Sequence, residues 1–176
     1  MINEQETLHP IANEQQPKRP TFLTVLIVLS AIYISFSLFG VGNALISGPV
    51  SEIELDEQLS ELYALSADLK SNGVGEQFGQ MVEIMIQNAI YTNNEAFYIT
   101  YVLNFISLII GAISLFLMYN LKKIGFHIYV IYSLLPIISM YITTPIELIL
   151  TFSIVSSVLI AALFSLLYGI NLKHMS

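Results

Sequence analysis

FLTVLIVLSAIYISFSLFGVGNALI, residues 22–46, decides the fold: twenty-five residues pass without a charged side chain. A helix rises about 1.5 Å per residue, so this run exceeds the roughly 30 Å hydrocarbon core of a bilayer. It reads as a first transmembrane helix over 22–47. A secretory signal peptide would also place a basic pair, here Lys18 and Arg19, before an apolar run, with small residues Gly40, Gly42 and Ala44 after it. The run is longer than the usual apolar region of about 7–15 residues, which favours the spanning reading.

Three more apolar blocks follow, giving transmembrane helices over 96–120, 124–142 and 146–171. The block at 124–142 contains Pro136, where a helix loses a backbone hydrogen bond. The chain is 55% hydrophobic and 11% charged, well below the roughly 25% charged residues of soluble domains. The expected fold class is therefore all-α: an integral membrane protein, a four-transmembrane-helix bundle. Residues 1–21 are polar and proline-bearing and read as a disordered cytoplasmic tail, with 172–176 a short cytoplasmic C-terminus.

Orientation follows from the cations. Lys18 and Arg19 precede the first span, Lys122 and Lys123 lie between the second and third, and Lys173 follows the fourth, so five of six fall on one side. Cytoplasmic loops are enriched in Lys and Arg, which places both termini in the cytoplasm and residues 48–95 outside. These cations and His127 are the expected membrane-interface anchors, meeting anionic headgroups. Tyr98, Tyr101 and Tyr141 fall near the outer boundary and Tyr119, Tyr129 and Tyr168 near the inner one, as amphipathic rings do. Asn-Leu-Lys-Lys at 120–123 and Asn-Leu-Lys-His at 171–174 close even-numbered spans on the same side and read as helix edges rather than as a site.

Nine of the thirteen acids lie between Ser51 and Glu95, so the net charge of −7 belongs to the outer segment. There Leu55, Leu59, Leu62 and Leu69 form one helical stripe, and Val74, Phe78, Met81, Val82, Met85 and Ala89 a second beyond the Asn72–Gly73 turn. The pattern predicts an extracytoplasmic amphipathic helical hairpin over 48–95. Ser51 with Glu54, Thr92 with Glu95 and Thr144 with Glu147 share the three-residue spacing of a capping box, and Pro145 would occupy the first turn of the fourth span. Capping is preferred over ion or proton traffic for Glu95 and Glu147.

Ser153, Ser157, Ala161, Ser165 and Gly169 recur every fourth residue and predict a close-packing ridge. Its expected partner face is Asn104, Ser107 and Gly111, with Asn104 either bonding across helices or binding a solute; the former is preferred.

No paired-carboxylate, nucleophile or phosphate-loop pattern is present, so enzymatic activity is not expected. Cysteine is absent, and the three histidines have no metal-ligand spacing, so neither metal nor cofactor is expected. Six dispersed basic residues offer no footprint for nucleic acid.

The proline-bearing tail, the acidic outer hairpin, LKKIGFHIYVIY at 121–132 and the terminal YGINLKHM at 168–175 together resemble a family of small uncharacterised bacterial four-span membrane proteins with an outer acidic helical hairpin. The resemblance implies the four-span fold and a bacterial inner-membrane location, and carries no functional residue across. The expected function is non-enzymatic, as an accessory or scaffold subunit acting through helix packing and the outer hairpin. Its expected partners are the lipid bilayer and either another membrane protein or a second copy of the chain. The alternative is a small permease or channel formed by oligomerisation, lined by Asn104, Ser107 and the serines of the fourth span.

Overall fold

Pro20 opens the first helix, α1 (Thr21–Ser47); its fixed φ suits a helix start, and its carbonyl accepts both the N–H and the hydroxyl of Thr24. The helix ends at Gly48, whose φ of 76° few other residues adopt, with Pro49 barring continuation. The structure, a computed structural model, describes residues 19–71 and 75–176. The tail as far as Lys18, and Asn72, Gly73 and Val74, lie outside the described residues.

Helices α2 (Glu52–Ser71) and α3 (Glu76–Asn94) pack on each other, Leu55 and Leu59 being buried against Ile86 with Leu62, Val82, Ala89 and Ile90 around them. The leucine stripe of α2 faces inward, but the buried face of α3 is rotated from the one read in the sequence. It centres on Gly79, Val82 and Ile86 and leaves Phe78 65% and Met85 47% exposed. Gly79 is the reason: α2 comes so close that a Cβ there would meet Lys70 Cγ at 3.0 Å. Asn93 clasps the base of the pair, accepting the Val50 N–H and donating to the Val50 carbonyl, both at 3.0 Å.

Among the described residues four helices are long and apolar enough to cross a membrane: α1, α4 (Phe97–Tyr119), α5 (Lys123–Thr143), and α6 (Thr151–Gly169) with its extension to His174. Their main contacts run in the order α1, α4, α5, α6. The α4–α5 interface is the most intimate because two glycines permit it. A Cβ on Gly111 would lie 2.8 Å from the Tyr132 ring, and one on Gly125 would lie 2.6 Å from the Met118 backbone nitrogen.

The two Asn-Leu-Lys stretches do the same job. Asn120 Nδ2 donates to the Phe116 carbonyl at 2.8 Å, beside the Asn120 N–H that already reaches it, and Asn171 Nδ2 donates to the Leu167 carbonyl at 2.9 Å, so each Asn side chain folds back onto the last turn of its helix. Leu121 takes the left-handed conformation, φ 57°, offset by burial of its side chain. The Ser176 N–H donates to the Leu121 carbonyl and the Lys123 N–H to the Ser176 carbonyl, tying the terminal segment to the α4–α5 turn.

That end is densely packed. Leu23, Met118, Ser114 and Tyr168 are fully buried, and the Tyr168 hydroxyl donates to Ser30 Oγ at 2.9 Å, linking α6 to α1. Tyr129 is buried beside Tyr168, ring centroids 4.5 Å apart. The sequence places both rings at the membrane edge; the structure puts them in the core, where their bulk fills the gap between α5, α6 and α1. Tyr98 and Tyr141 are exposed, while Tyr119 lies beneath the Arg19 guanidinium, 3.7 Å from the ring centre.

The fourth span begins later than 146. Ile146–Leu148 form a single 3-10 turn, Ile149 and Leu150 are extended, and α6 starts at Thr151. Pro145, with ψ 140°, precedes the 3-10 turn rather than occupying the first turn of the span. The physical cause lies in α3: Asn88 Nδ2 donates to the Leu148 carbonyl at 3.1 Å, giving that acceptor a long-range side-chain partner in place of an N–H of α6.

Candidate functional site

The α4 face carrying Thr100, Asn104, Ser107, Gly111 and Ser114 advances by four and three residues alternately, so these small and polar groups share one side of the helix. Toward the α4 C-terminus the stripe is sealed, with Ser107 and Ser114 buried and the Ser114 hydroxyl donating to the Gly111 carbonyl at 2.6 Å. Toward the α3 end it opens into a cavity of about 440 Å³.

Three walls and a roof define this space. Helix α4 supplies Thr100 and Asn104; α5 supplies Pro136, Ser139, Met140 and Thr143; Leu150 and Ser153 come from the start of α6. Met85, Asn88, Ala89 and Thr92 of α3 cross above. The roof is pinned by a relay in which the Thr92 hydroxyl donates to Asn88 Oδ1 at 3.3 Å while Asn88 Nδ2 holds Leu148. Pro136 has no N–H to offer the Tyr132 carbonyl one turn back. Asn104 lies seven residues beyond Phe97, so the cavity penetrates about 10 Å along α4.

Its lining is polar but uncharged: six hydroxyls, of Thr92, Thr100, Ser139, Thr143, Thr144 and Ser153, and the two amides of Asn88 and Asn104. Some are already engaged, since Thr143 Oγ1 donates to the Ser139 carbonyl at 3.0 Å. Thr100 Oγ1 is buried and has no hydrogen-bond partner among the described residues, and neither has the Asn104 side chain. For the buried Thr100 hydroxyl this costs about 1–3 kcal/mol, whereas the Asn104 amide is open to the cavity.

The predicted packing seam is thus divided. Ser107 and Gly111 lie in the α4 seam against α5 and α1, whereas Asn104 makes no interhelical hydrogen bond among the described residues and borders the cavity. The α6 ridge packs chiefly on α5 instead of α4, because Gly111 and Gly125 bring α5 in between. Ser153 reaches the cavity, Ser157 is half-buried, Ala161 is buried, and Ser165 and Gly169 border a shallow apolar groove beside Phe126.

Of the predicted caps, Ser51 Oγ accepts the Glu54 N–H at 3.3 Å. Thr92 is interior to α3 and Glu95 follows its end, while α4 begins at Phe97 after Ala96 without a side-chain cap; the two helices abut too closely for a capping box. Thr144 ends α5 in extended conformation and Glu147 is exposed in the 3-10 turn, so neither caps α6. Arg19, Lys122, Lys123, His127 and Lys173 are exposed, with His127 Nδ1 3.0 Å from the Lys123 carbonyl.

Sequence reasoning singled out Asn104 and missed Thr100, Asn88, Ser139 and Thr143 as lining groups. Thr100 was reachable as the next turn of the Asn104–Ser107–Gly111 stripe, and Ser139 with Thr143 as a polar pair four apart at the end of an apolar span. Asn88 gave no local signal. Fold and site together define an all-helical protein with four helices long and apolar enough to span a membrane and, at one end, a cavity whose polar lining is uncharged among the described residues. No protein-family model, curated protein or solved structure matches the chain.

Proposed function

We propose that this chain is a non-enzymatic accessory protein of a bacterial inner membrane that works by binding a small polar molecule in the cavity beneath α3. The observation that carries this reading is the Asn104 amide, which borders an open cavity inside an otherwise apolar bundle without a hydrogen-bond partner among the described residues, with the buried and equally unpartnered Thr100 Oγ1 one turn away. Pockets of about 300–1,000 Å³ with a few convergent polar groups are the usual form of small-molecule sites. Among the described residues no ionisable side chain lines the cavity, which favours recognition over proton transfer. The asymmetry of Lys and Arg supports cytoplasmic termini and an outward-facing cavity, and the resemblance to small bacterial four-span proteins supports the inner membrane.

A scaffold role for the outer hairpin is the second reading. It is favoured by Phe78 and Ile53, 65% and 83% exposed, which neither helix of the pair covers. The oligomeric channel is less favoured, because Ser107 is buried within the chain and Asn104 borders an intramolecular cavity rather than a surface open to another copy.

The test is cysteine labelling in sealed inverted and right-side-out vesicles. Ser60→Cys and Ser153→Cys should both react with a small membrane-impermeant maleimide from the outer side. Reaction of Ser60→Cys from the cytoplasmic side would overturn the orientation. An inert Ser153→Cys beside a reactive Ser60→Cys would mean that the cavity does not open to water, and the binding reading would fall.

A further inference from the structure

The chemistry of the lining narrows the ligand, and this step rests on the binding reading above. We infer that the cavity recognises an uncharged, hydroxyl-rich group: a neutral sugar or polyol, presented free or as the headgroup of a neutral glycolipid.

Charge is the first discriminator. Among the described residues no Asp, Glu, Lys, Arg or His lines the cavity, and its remaining surface is apolar, from Met85, Pro136, Met140 and Leu150. A carboxylate, phosphate or ammonium held there would lose water without gaining a counter-charge, and burying an unpaired ion is far costlier than burying a neutral polar group.

Hydrogen-bond direction is the second. A hydroxyl both donates and accepts at one atom, and so does each alcohol of a polyol, so the two sets match without a fixed register. Thr100 Oγ1, buried one turn from Asn104, neither donates nor accepts among the described residues. The Asn104 carboxamide presents a donor and an acceptor side by side, which matches two neighbouring alcohols on one carbon chain or ring. A sugar ring also has an apolar C–H face, for which Met85 and Met140 are suited because thioether side chains adapt to irregular surfaces.

Depth accommodates both sources. The cavity extends from α3 to about 10 Å along α4, so the polar group would sit below the bilayer edge, reachable by a dissolved sugar from outside or by a headgroup from the adjoining leaflet.

Met85 and Met140 also provide the readout. The full-length protein, labelled at its methionine methyls, is placed in phosphatidylcholine nanodiscs and titrated separately with glucose, glycerol, monoglucosyl diacylglycerol and phosphatidylserine. Saturable shifts of the Met85 and Met140 signals are expected with glucose or glycerol if the ligand is a free polyol, and with the glucosyl lipid alone if it is a headgroup. Met118 and Met175, buried at the opposite end, should stay in place and serve as the folding control. Asn104→Leu and, independently, Thr100→Val should each weaken the response about tenfold while leaving the Met118 signal unmoved. An Asn104-dependent shift with phosphatidylserine but not with the neutral compounds would overturn the ligand class and leave the binding reading standing. No Asn104-dependent shift with any of the four would overturn both.

Discussion

Gly125→Ala should destabilise the bundle although alanine is the better helix former. At this position a Cβ would lie 2.6 Å from the Met118 backbone nitrogen, 2.8 Å from Leu117 Cβ and 2.9 Å from Met118 Cγ. Only the last can be relieved by rotating a side chain; the first requires α4 and α5 to separate. Overpacking of this kind costs about 1–3 kcal/mol, and a backbone clash belongs near the top of that range. Alanine returns about 1 kcal/mol of helix propensity, leaving a net loss of about 1–2 kcal/mol. For a chain of this size that corresponds to a fall of about 2–8 °C in melting temperature. Gly42→Ala supplies the contrast, since a Cβ there meets nothing within 4 Å and only the propensity gain remains. Thermal unfolding of both variants in the same detergent, followed by far-ultraviolet circular dichroism, separates the effects. If Gly125→Ala melts at or above the wild-type temperature, the close approach of α4 and α5 is wrong, and with it the explanation for α5 standing between α4 and the α6 ridge.

Tyr168→Phe removes the buried hydroxyl that donates to Ser30 and should cost about 1–2 kcal/mol. Ser30→Ala should cost a similar amount, and the double variant little more than either alone, which a double-mutant cycle of thermal or denaturant unfolding would read. Asn93→Ala breaks both bonds to Val50 and should raise amide exchange at Val50 and through the first turn of α2, with the α4–α5 interior unchanged. Uniform acceleration across the chain would show that Asn93 holds more than the hairpin base. Glu83→Gln deletes the partner of Lys70, but with both side chains nearly half exposed the change in stability should stay below about 1 kcal/mol. A larger loss would show that this pair, rather than the Leu55–Leu59–Ile86 cluster, holds α2 on α3.

What the sequence made legible was local. An uncharged run as long as 22–46 has few alternatives to a spanning helix, and the ends of α1, α4 and α5 fall within a residue or so of the boundaries read from hydropathy and Asn-Leu-Lys edges. Errors arose where a distant residue intervened. The start of α6 was misread because the Leu148 carbonyl is bonded to Asn88, sixty residues away in sequence. The α3 face was misassigned because Gly79, which carries no hydrophobic signal, sets how α2 approaches. Tyr129 and Tyr168 stand at registers proper to interface anchors, yet they fill a core whose shape depends on α1. The cavity was legible only at Asn104; its other polar groups come from α3, α5 and α6 and converge through tertiary contacts that no spacing encodes.

The two ends of the bundle are built on opposite terms, and this bears on how a site could persist in so small a protein. At the Lys122 end, Leu23, Met118 and Tyr168 exclude solvent, Asn120 and Asn171 fold back onto the last turns of their helices, and the terminal segment is bonded to the α4–α5 turn. At the α3 end, polar clasps hold the roof in place while Thr100 and Asn104 remain unpaired beneath it. A buried unpaired group is costly, and Thr100→Val would relieve that cost in the empty protein. A stable far end allows the cost to be carried, since the α4 and α5 walls are registered by Gly111 and Gly125 well below the cavity. The same argument separates a site from a packing flaw. In a flaw, Asn104→Leu would change stability with nothing else lost, whereas in a site it also diminishes the ligand-dependent rise in melting temperature expected of the wild type, in line with about tenfold weaker binding.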